Sequence, residues 1–88
     1  MKILRFTASW CQPCKAISRA IDSLVSSGDI NNDIFETVDI DDNFEKAQEY
    51  KVRGVPTLIA IDSDNNVISQ HVGAMTSGQL KEWVSNLK

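Results

Sequence analysis

The first forty residues read as a strand, a helix and a second strand, and this pattern restricts the fold more than any other feature. A short, partly alternating segment over 2–8 is followed by apolar residues that recur about every 3.6 positions, and Gly28 ends this repeat. A β-rich segment over 34–40 comes next. A helix-containing connection of this length favours parallel strands and a right-handed crossover. The sequence therefore predicts a parallel βαβ unit.

The second half of the chain predicts a short helix, two strands and a final helix. The polar run 41–43 suits the cap of a short helix over 44–50. Two β-rich segments, 55–61 and 67–72, flank a turn and predict a hairpin. We expect an α/β protein with a β-α-β-α-β-β-α order and a four-stranded mixed sheet. The last helix has a core-facing stripe with helical spacing, formed by Leu80, Trp83, Val84 and Leu87.

Composition restricts the class of protein. The chain has 88 residues, of which 42% are hydrophobic, so we expect a single domain over 1–88 with its own core. No apolar run approaches the roughly 18 residues of a membrane span. Nine basic residues are scattered among twelve acidic ones, so we expect neither a nucleic-acid partner nor membrane binding. Arg5 interrupts the apolar N-terminal stretch, which is unlike a secretory signal, and we expect a cytoplasmic protein.

Two cysteines, Cys11 and Cys14, are spaced C-x-x-C where the first strand meets the first helix. Two cysteines cannot build the framework of a disulfide-rich secreted protein. Cys11 is expected at the helix N-cap, where unpaired N–H groups and the helix dipole favour its thiolate. Pro13 suits the first helical turn, and Cys14, on the apolar face, is expected to be less exposed. This arrangement predicts that Cys11 attacks a substrate disulfide and that Cys14 resolves the mixed disulfide.

Two alternatives to redox chemistry are a metal site shared between two chains and a pair of inert cysteines. Zinc usually takes four ligands, and the chain offers two cysteines and His71, which we expect to be an exposed strand residue. An acidic run at 39–42 is expected to end a strand and cap a helix rather than to bind a metal. We therefore expect no metal, and no cofactor besides the redox-active disulfide of Cys11 and Cys14.

The cysteine motif is part of a longer series of segments along the chain: FTASWCQPCK over 6–15, VDID over 38–41, VRGVPTL over 52–58, and VGA and QLK over 72–74 and 79–81. These segments follow the order of the thioredoxin family, which the chain resembles over essentially its whole length. The resemblance implies a thioredoxin-like fold and an enzyme that reduces protein disulfides. Its partners would be disulfide-containing substrate proteins and a thioredoxin reductase or similar electron donor, and the protein would be a monomer.

The resemblance implies roles for the matching residues. Cys11 would be the nucleophile and Cys14 the resolving cysteine. Pro56 would be a cis-proline that faces the disulfide and leaves the Val55 backbone free to pair with an extended substrate. Four further residues would complete the substrate-binding surface: Trp10, Gln12, Pro13 and Gly73.

Three features depart from the usual family pattern. The segment matched here begins at the active-site strand, without the strand and helix that usually precede it, so we expect one sheet face to be less covered. Arg5 and Thr37 occupy the positions of a buried acid and its lysine neighbour. We expect Arg5 to pair with Asp39 on the less covered face. Gln12 replaces the usual glycine between the cysteines, and we expect it to change the reduction potential.

A glutaredoxin-like enzyme coupled to glutathione is the nearest alternative function. The segment after Gly73, over 74–77, lacks the glycine-glycine-aspartate arrangement with which glutaredoxins usually hold the glutathione carboxylate. Proline also replaces their usual aromatic residue before Cys14. Another alternative is a docking subunit that binds a partner through the apolar surface around the cysteines. The resemblance to thioredoxin places a protein-disulfide reductase first.

Overall fold

A four-stranded mixed sheet with helices on both faces forms the framework of the protein, and the computed structural model describes residues 1–87. The element order and the mixed sheet confirm the prediction, whereas the end of the expected domain at Lys88 lies outside the described residues. The strands are β1 (Lys2–Thr7), β2 (Phe35–Asp39), β3 (Thr57–Ile61) and β4 (Val67–Val72). The helices are α1 (Gln12–Ser26), α2 (Phe44–Glu49) and α3 (Ser77–Ser85), with a short 3₁₀ turn at Asn32–Ile34.

The strand order is β2-β1-β3-β4, so β1 lies inside the sheet. β1 runs parallel to β2, as the βαβ pattern predicted, and antiparallel to β3, which pairs in turn with β4 as a hairpin. The C-terminal end of β1 leads through a short loop into the N-terminus of α1, at the edge of the sheet where the strand β1 ends. The two cysteines lie at this edge, one in the loop and one in the first turn of α1.

Alternation along β1 divides the core into two layers. Ile3 packs with buried residues of α1 and α3, whereas Leu4 and Phe6 pack with α2 on the other face. All five residues of β3 are buried, as expected for a strand with neighbours on both sides and helices on both faces. None of the helices in residues 1–87 has the length and apolar character that crossing a bilayer requires.

The expected pairing of Arg5 with Asp39 is wrong. The β1–β2 register does place both residues on one sheet face, but α1 covers Arg5 on that face. The Arg5 side chain reaches α1, where its Nη2 donates to the Ser18 hydroxyl at 2.8 Å. The Asp39 carboxylate lies at the end of β2 and instead accepts the Asp41 backbone N–H at 2.9 Å. The Ser18 hydroxyl of α1, rather than the Asp39 carboxylate of β2, is thus the hydrogen-bond partner of the Arg5 guanidinium.

The His71 side chain is half-buried, so the prediction of an exposed strand residue is wrong. It pairs with Leu58 across β3 and β4, and Leu58 belongs to the core beneath α1 and α3. Trp83, which was predicted to lie in the core, is partly buried and packs against the same core cluster.

Candidate active site

The two cysteines form a disulfide at the N-terminus of α1, with Cα atoms 5.3 Å apart. Cys11 is the N-cap residue, and its Sγ accepts a hydrogen bond of 3.1 Å from the Cys14 backbone N–H. Pro13 lies in the first helical turn, where a missing N–H leaves no partner unsatisfied. Because an N-terminal N–H is directed at Cys11 Sγ, the fold supplies a partner for negative charge on this sulfur.

Both cysteines are buried in the disulfide form, Cys11 at 3% exposure and Cys14 at 2%. The expected difference in exposure between them is therefore not found. The reason is local packing, since the pair and Ala8 form a small apolar cluster against which Ile40 and Val55 pack. The N-cap position of Cys11, rather than exposure, distinguishes the two sulfurs.

The loop before β3 lies against the disulfide. The Val55–Pro56 peptide bond is cis, as the resemblance to the thioredoxin family implied. Pro56 is buried, and its carbonyl accepts the Gly73 N–H at 2.9 Å, which joins this loop to the end of β4. Within residues 1–87, neither the N–H nor the C=O of Val55 takes part in a hydrogen bond. The Val55 backbone therefore offers a donor and an acceptor beside the cysteines.

Exposed side chains surround the buried disulfide. Trp10 is 65% exposed, and its indole N–H donates to the Asp41 carboxylate at 3.1 Å. Gln12 and Pro13 are also exposed. Val72 is 63% exposed next to Gly73, and sequence reasoning did not select it. The predicted hairpin could have identified Val72, because the strand register pairs it with Thr57, the residue that follows Pro56.

The acidic residues near Trp10 are engaged in local structure. Asp39 accepts the Asp41 N–H through its carboxylate, and its backbone carbonyl accepts the N–H groups of Asp42 and Asn43. These bonds form the turn that ends β2, as the sequence predicted. The expected helix cap is not found, because the N-cap residue Asn43 makes no side-chain hydrogen bond to the start of α2. Among the residues that the structure describes, no group of three or more His, Cys, Asp or Glu side chains is arranged to hold a metal ion.

These features define a class of protein. A cysteine pair at a helix N-terminus, packed against a cis-proline loop at the edge of a mixed sheet, is the arrangement of a thiol–disulfide exchange domain. The thioredoxin family model matches residues 1–86, and the chain belongs to this family. The resemblance drawn from the sequence is thus confirmed.

Individual relatives agree with this assignment. The chain is 36% identical to a thioredoxin of Rhodospirillum rubrum over 80 residues, which cover 90% of this chain and 74% of that protein. It is 33% identical to the mitochondrial thioredoxin of Mus musculus over 87 residues, which cover 97% of this chain. The chain spans about half the length of that mitochondrial relative.

A solved structure also shares the fold. The reduced thioredoxin pre-protein of Schistosoma mansoni superposes with a TM-score of 0.80 at 30% sequence identity. The match covers 98% of this chain and 77% of the other. The expected thioredoxin-like fold is therefore confirmed.

Proposed function

We propose that the chain is a thiol–disulfide oxidoreductase of the thioredoxin type, which reduces disulfides in other proteins. The observation that carries this proposal is the disulfide at the start of α1, with the Cys14 N–H directed at Cys11 Sγ. The thiolate is the reactive form of a cysteine, and this N–H and the helix N-terminus both favour negative charge on Cys11. Cys11 is therefore the attacking residue and Cys14 the resolving residue.

The reaction consists of two thiol–disulfide exchanges. The Cys11 thiolate attacks one sulfur of the substrate disulfide, a bond forms between them, and the other substrate sulfur leaves as a thiolate that takes a proton from water. Cys14 loses its proton to water and attacks Cys11 Sγ. The Cys11–Cys14 bond forms while the bond from Cys11 to the substrate breaks, and the substrate sulfur leaves as a thiolate that takes a proton from water. The substrate gains two electrons, and the cysteine pair loses two.

The surroundings of the disulfide support a protein or peptide as substrate. The unpaired N–H and C=O of Val55 can form two hydrogen bonds with an extended segment, in the manner of an added strand. The hydrogen bond from the Gly73 N–H to the Pro56 carbonyl joins the loop that contains Val55 to the end of β4. The residues proposed to contact the substrate are Trp10, Gln12, Pro13, Val55, Pro56 and Gly73, together with Val72.

The oxidised pair must be reduced before the next cycle. We propose a thioredoxin reductase or a similar electron donor as the partner for this step. The two sulfurs carry both electrons, so the reaction needs no bound cofactor. We also propose that the protein acts as a monomer. The cytoplasm is the proposed compartment, and the mitochondrial relatives make the mitochondrion the alternative. Fractionation of the source cells distinguishes the two compartments.

Trapping experiments test this function. The wild-type protein is expected to accelerate reduction of insulin disulfides by dithiothreitol, and Cys11→Ser is expected to abolish this activity. Cys14→Ser is expected to accumulate mixed disulfides on Cys11 that a reductant releases. The Cys11→Ser/Cys14→Ser variant is the matched control and should capture no protein.

The same experiments separate the alternative functions. Equal capture by the double serine variant would overturn the proposal in favour of a docking subunit that does not need its thiols. Turnover that requires glutathione and glutathione reductase, with none from a thioredoxin reductase, would identify a glutaredoxin-like enzyme instead.

A further inference from the structure

Arg5 is a half-buried cation beneath α1 that the exchange chemistry above does not use. Its Nη2 donates to Ser18 Oγ at 2.8 Å, whereas its Nε–H is buried without a hydrogen-bond partner in residues 1–87. The ion pairs of the described chain involve Lys2, Lys46 and Lys81, so Arg5 carries its charge without a carboxylate in direct contact. Burying a cation in this way is costly, which makes its placement informative.

The contact with Ser18 places this charge close to the resolving cysteine. Ser18 follows Cys14 by four residues in α1, so the two side chains are neighbours on one helix face, with Cβ atoms about 5–6 Å apart. Side chains of a helix tilt toward its N-terminus, which brings the Ser18 hydroxyl toward Cys14. The guanidinium that binds this hydroxyl therefore lies beside the helical turn that follows Cys14.

The surroundings of Cys14 leave the field of Arg5 weakly opposed. Burial lowers the pKa of Arg5 and the Asp22 carboxylate raises it, and an arginine remains charged at neutral pH. Asp22 and Lys15, both on α1, are exposed to solvent, which screens their charges. Asp39 of β2 is engaged by a backbone N–H. The side chains that pack against the cysteine pair are apolar: Ala8, Ile40 and Val55.

We propose that Arg5, held by Ser18, is a positioning residue for the resolving step and favours the thiolate of Cys14 while Cys11 is bound to the substrate. This inference rests on the proposed function and concerns its second exchange. The Cys14 thiol gives its proton to water, and the thiolate attacks Cys11 Sγ. The Cys11–Cys14 bond forms, the bond from Cys11 to the substrate breaks, and the substrate sulfur leaves as a thiolate. Arg5 takes no proton and stabilises the anion through its charge.

The size of the effect follows from electrostatics and from thiol reactivity. One charge at this range in a partly buried site changes a protonation equilibrium on the order of tenfold. Removing it lowers the Cys14 thiolate fraction by that factor at neutral pH. The remaining thiolate becomes about threefold more nucleophilic, since reactivity rises with basicity at a slope of about 0.4–0.5. Resolution should therefore slow about threefold at neutral pH and accelerate about threefold where the thiol is fully ionised.

The pH–rate profiles of the wild type and of Arg5→Met should therefore cross between these two pH ranges. Stopped-flow kinetics with dithiobis(nitrobenzoate) test this prediction. Attack by Cys11 releases one nitrothiobenzoate, and resolution by Cys14 releases the second. Arg5→Met is expected to change the second release as described, and Arg5→Lys, which keeps the charge, is expected to restore the wild-type profile. Lys81→Met is the matched control, because it removes an exposed positive charge on α3. Parallel profiles for wild type and Arg5→Met would overturn the inference.

A titration supplies a second measurement. In the Cys11→Ser background, the midpoint pH of Cys14 ionisation should rise by about one unit in Arg5→Met. Ser18→Ala keeps the charge but frees the guanidinium, and it should give a smaller rise even if Arg5→Met fails to fold. An unchanged midpoint in Ser18→Ala and in any folded Arg5→Met would overturn the inference. If the first nitrothiobenzoate is not released in the wild type, the proposed function fails instead.

Discussion

The orientation of Trp10 depends on one hydrogen bond, from its indole N–H to the Asp41 carboxylate. This bond holds an exposed aromatic side chain beside the surface proposed to bind the substrate. Asp41→Ala removes the acceptor and lets the indole move, at a cost of about 0.5–1 kcal/mol in substrate binding. We expect a two- to fivefold loss in kcat/KM for a protein disulfide, roughly the same free energy. Steady-state reduction assays measure this loss.

The neighbouring carboxylate provides the control for this prediction. Asp42→Ala makes the same change in charge one residue away, and the Asp42 side chain forms no hydrogen bond within residues 1–87. It should leave kcat/KM close to the wild-type value. Equal losses in Asp41→Ala and Asp42→Ala would show that the local negative charge matters and that the hydrogen bond to Trp10 does not.

Gly73 has a backbone requirement that a side chain cannot meet easily. Its φ is +103°, and an added Cβ would find no atom within 4 Å, so strain rather than a clash opposes substitution. Gly73→Ala should lower the free energy of unfolding by about 1–2 kcal/mol. Urea denaturation measures the change. Gly78→Ala is the control, since Gly78 lies in the first turn of α3, where alanine should not destabilise the helix and should stabilise it by less than the roughly 1 kcal/mol of a helix interior.

At the scale of the elements, Glu36 connects three of them. This β2 residue accepts hydrogen bonds from Lys46 of α2 and Lys2 of β1, and these bonds lower the pKa of Glu36 below its usual value. A carboxyl with a lowered pKa stabilises the fold at neutral pH, and the contribution disappears as the pH falls through its value in the folded protein. Glu36→Gln should therefore cost about 0.2–1 kcal/mol at neutral pH, since all three groups are partly exposed.

Urea denaturation at neutral and progressively acidic pH tests the contribution of Glu36. The difference between the wild type and Glu36→Gln should shrink toward acid. Glu82→Gln, an exposed position on α3, is the matched control and should stay within about 0.5 kcal/mol of the wild type. A difference that persists unchanged into acid would contradict an electrostatic origin.

The elements themselves were predictable because local patterns define them. The period of the apolar residues gave α1 to within about two residues of its start at Gln12, and the hairpin followed from two β-rich segments around a turn. The partner of Arg5 was not predictable in this way. An arginine side chain reaches several neighbours, and the choice of Ser18 over Asp39 depends on how α1 packs on the sheet. The burial of Cys11 and the exposure of Val72 likewise depend on loops that meet only in the folded chain.

On the scale of the whole molecule, the core and the redox centre are distinct clusters, joined through the partly buried side chains of Ile40 and Val55. Two apolar clusters on opposite sheet faces contain most of the buried side chains, and neither includes a cysteine. The cysteines belong to a third, small cluster at the edge. A protein built this way can change the oxidation state of its cysteines without rebuilding its core, which a redox carrier requires in both halves of its cycle.

This separation predicts that the reduced protein remains folded. The Cys11–Cys14 bond closes a loop of sequence separation 3, for which the chain-entropy model gives a stabilisation of about 2 kcal/mol. Urea denaturation with and without dithiothreitol should show cooperative unfolding in both cases, with a free-energy difference of about that size or less. The Cys11→Ala/Cys14→Ala variant should be insensitive to the reductant. A reduced protein without a cooperative transition would show instead that the core depends on the disulfide, and such a chain could not pass electrons repeatedly as a folded carrier.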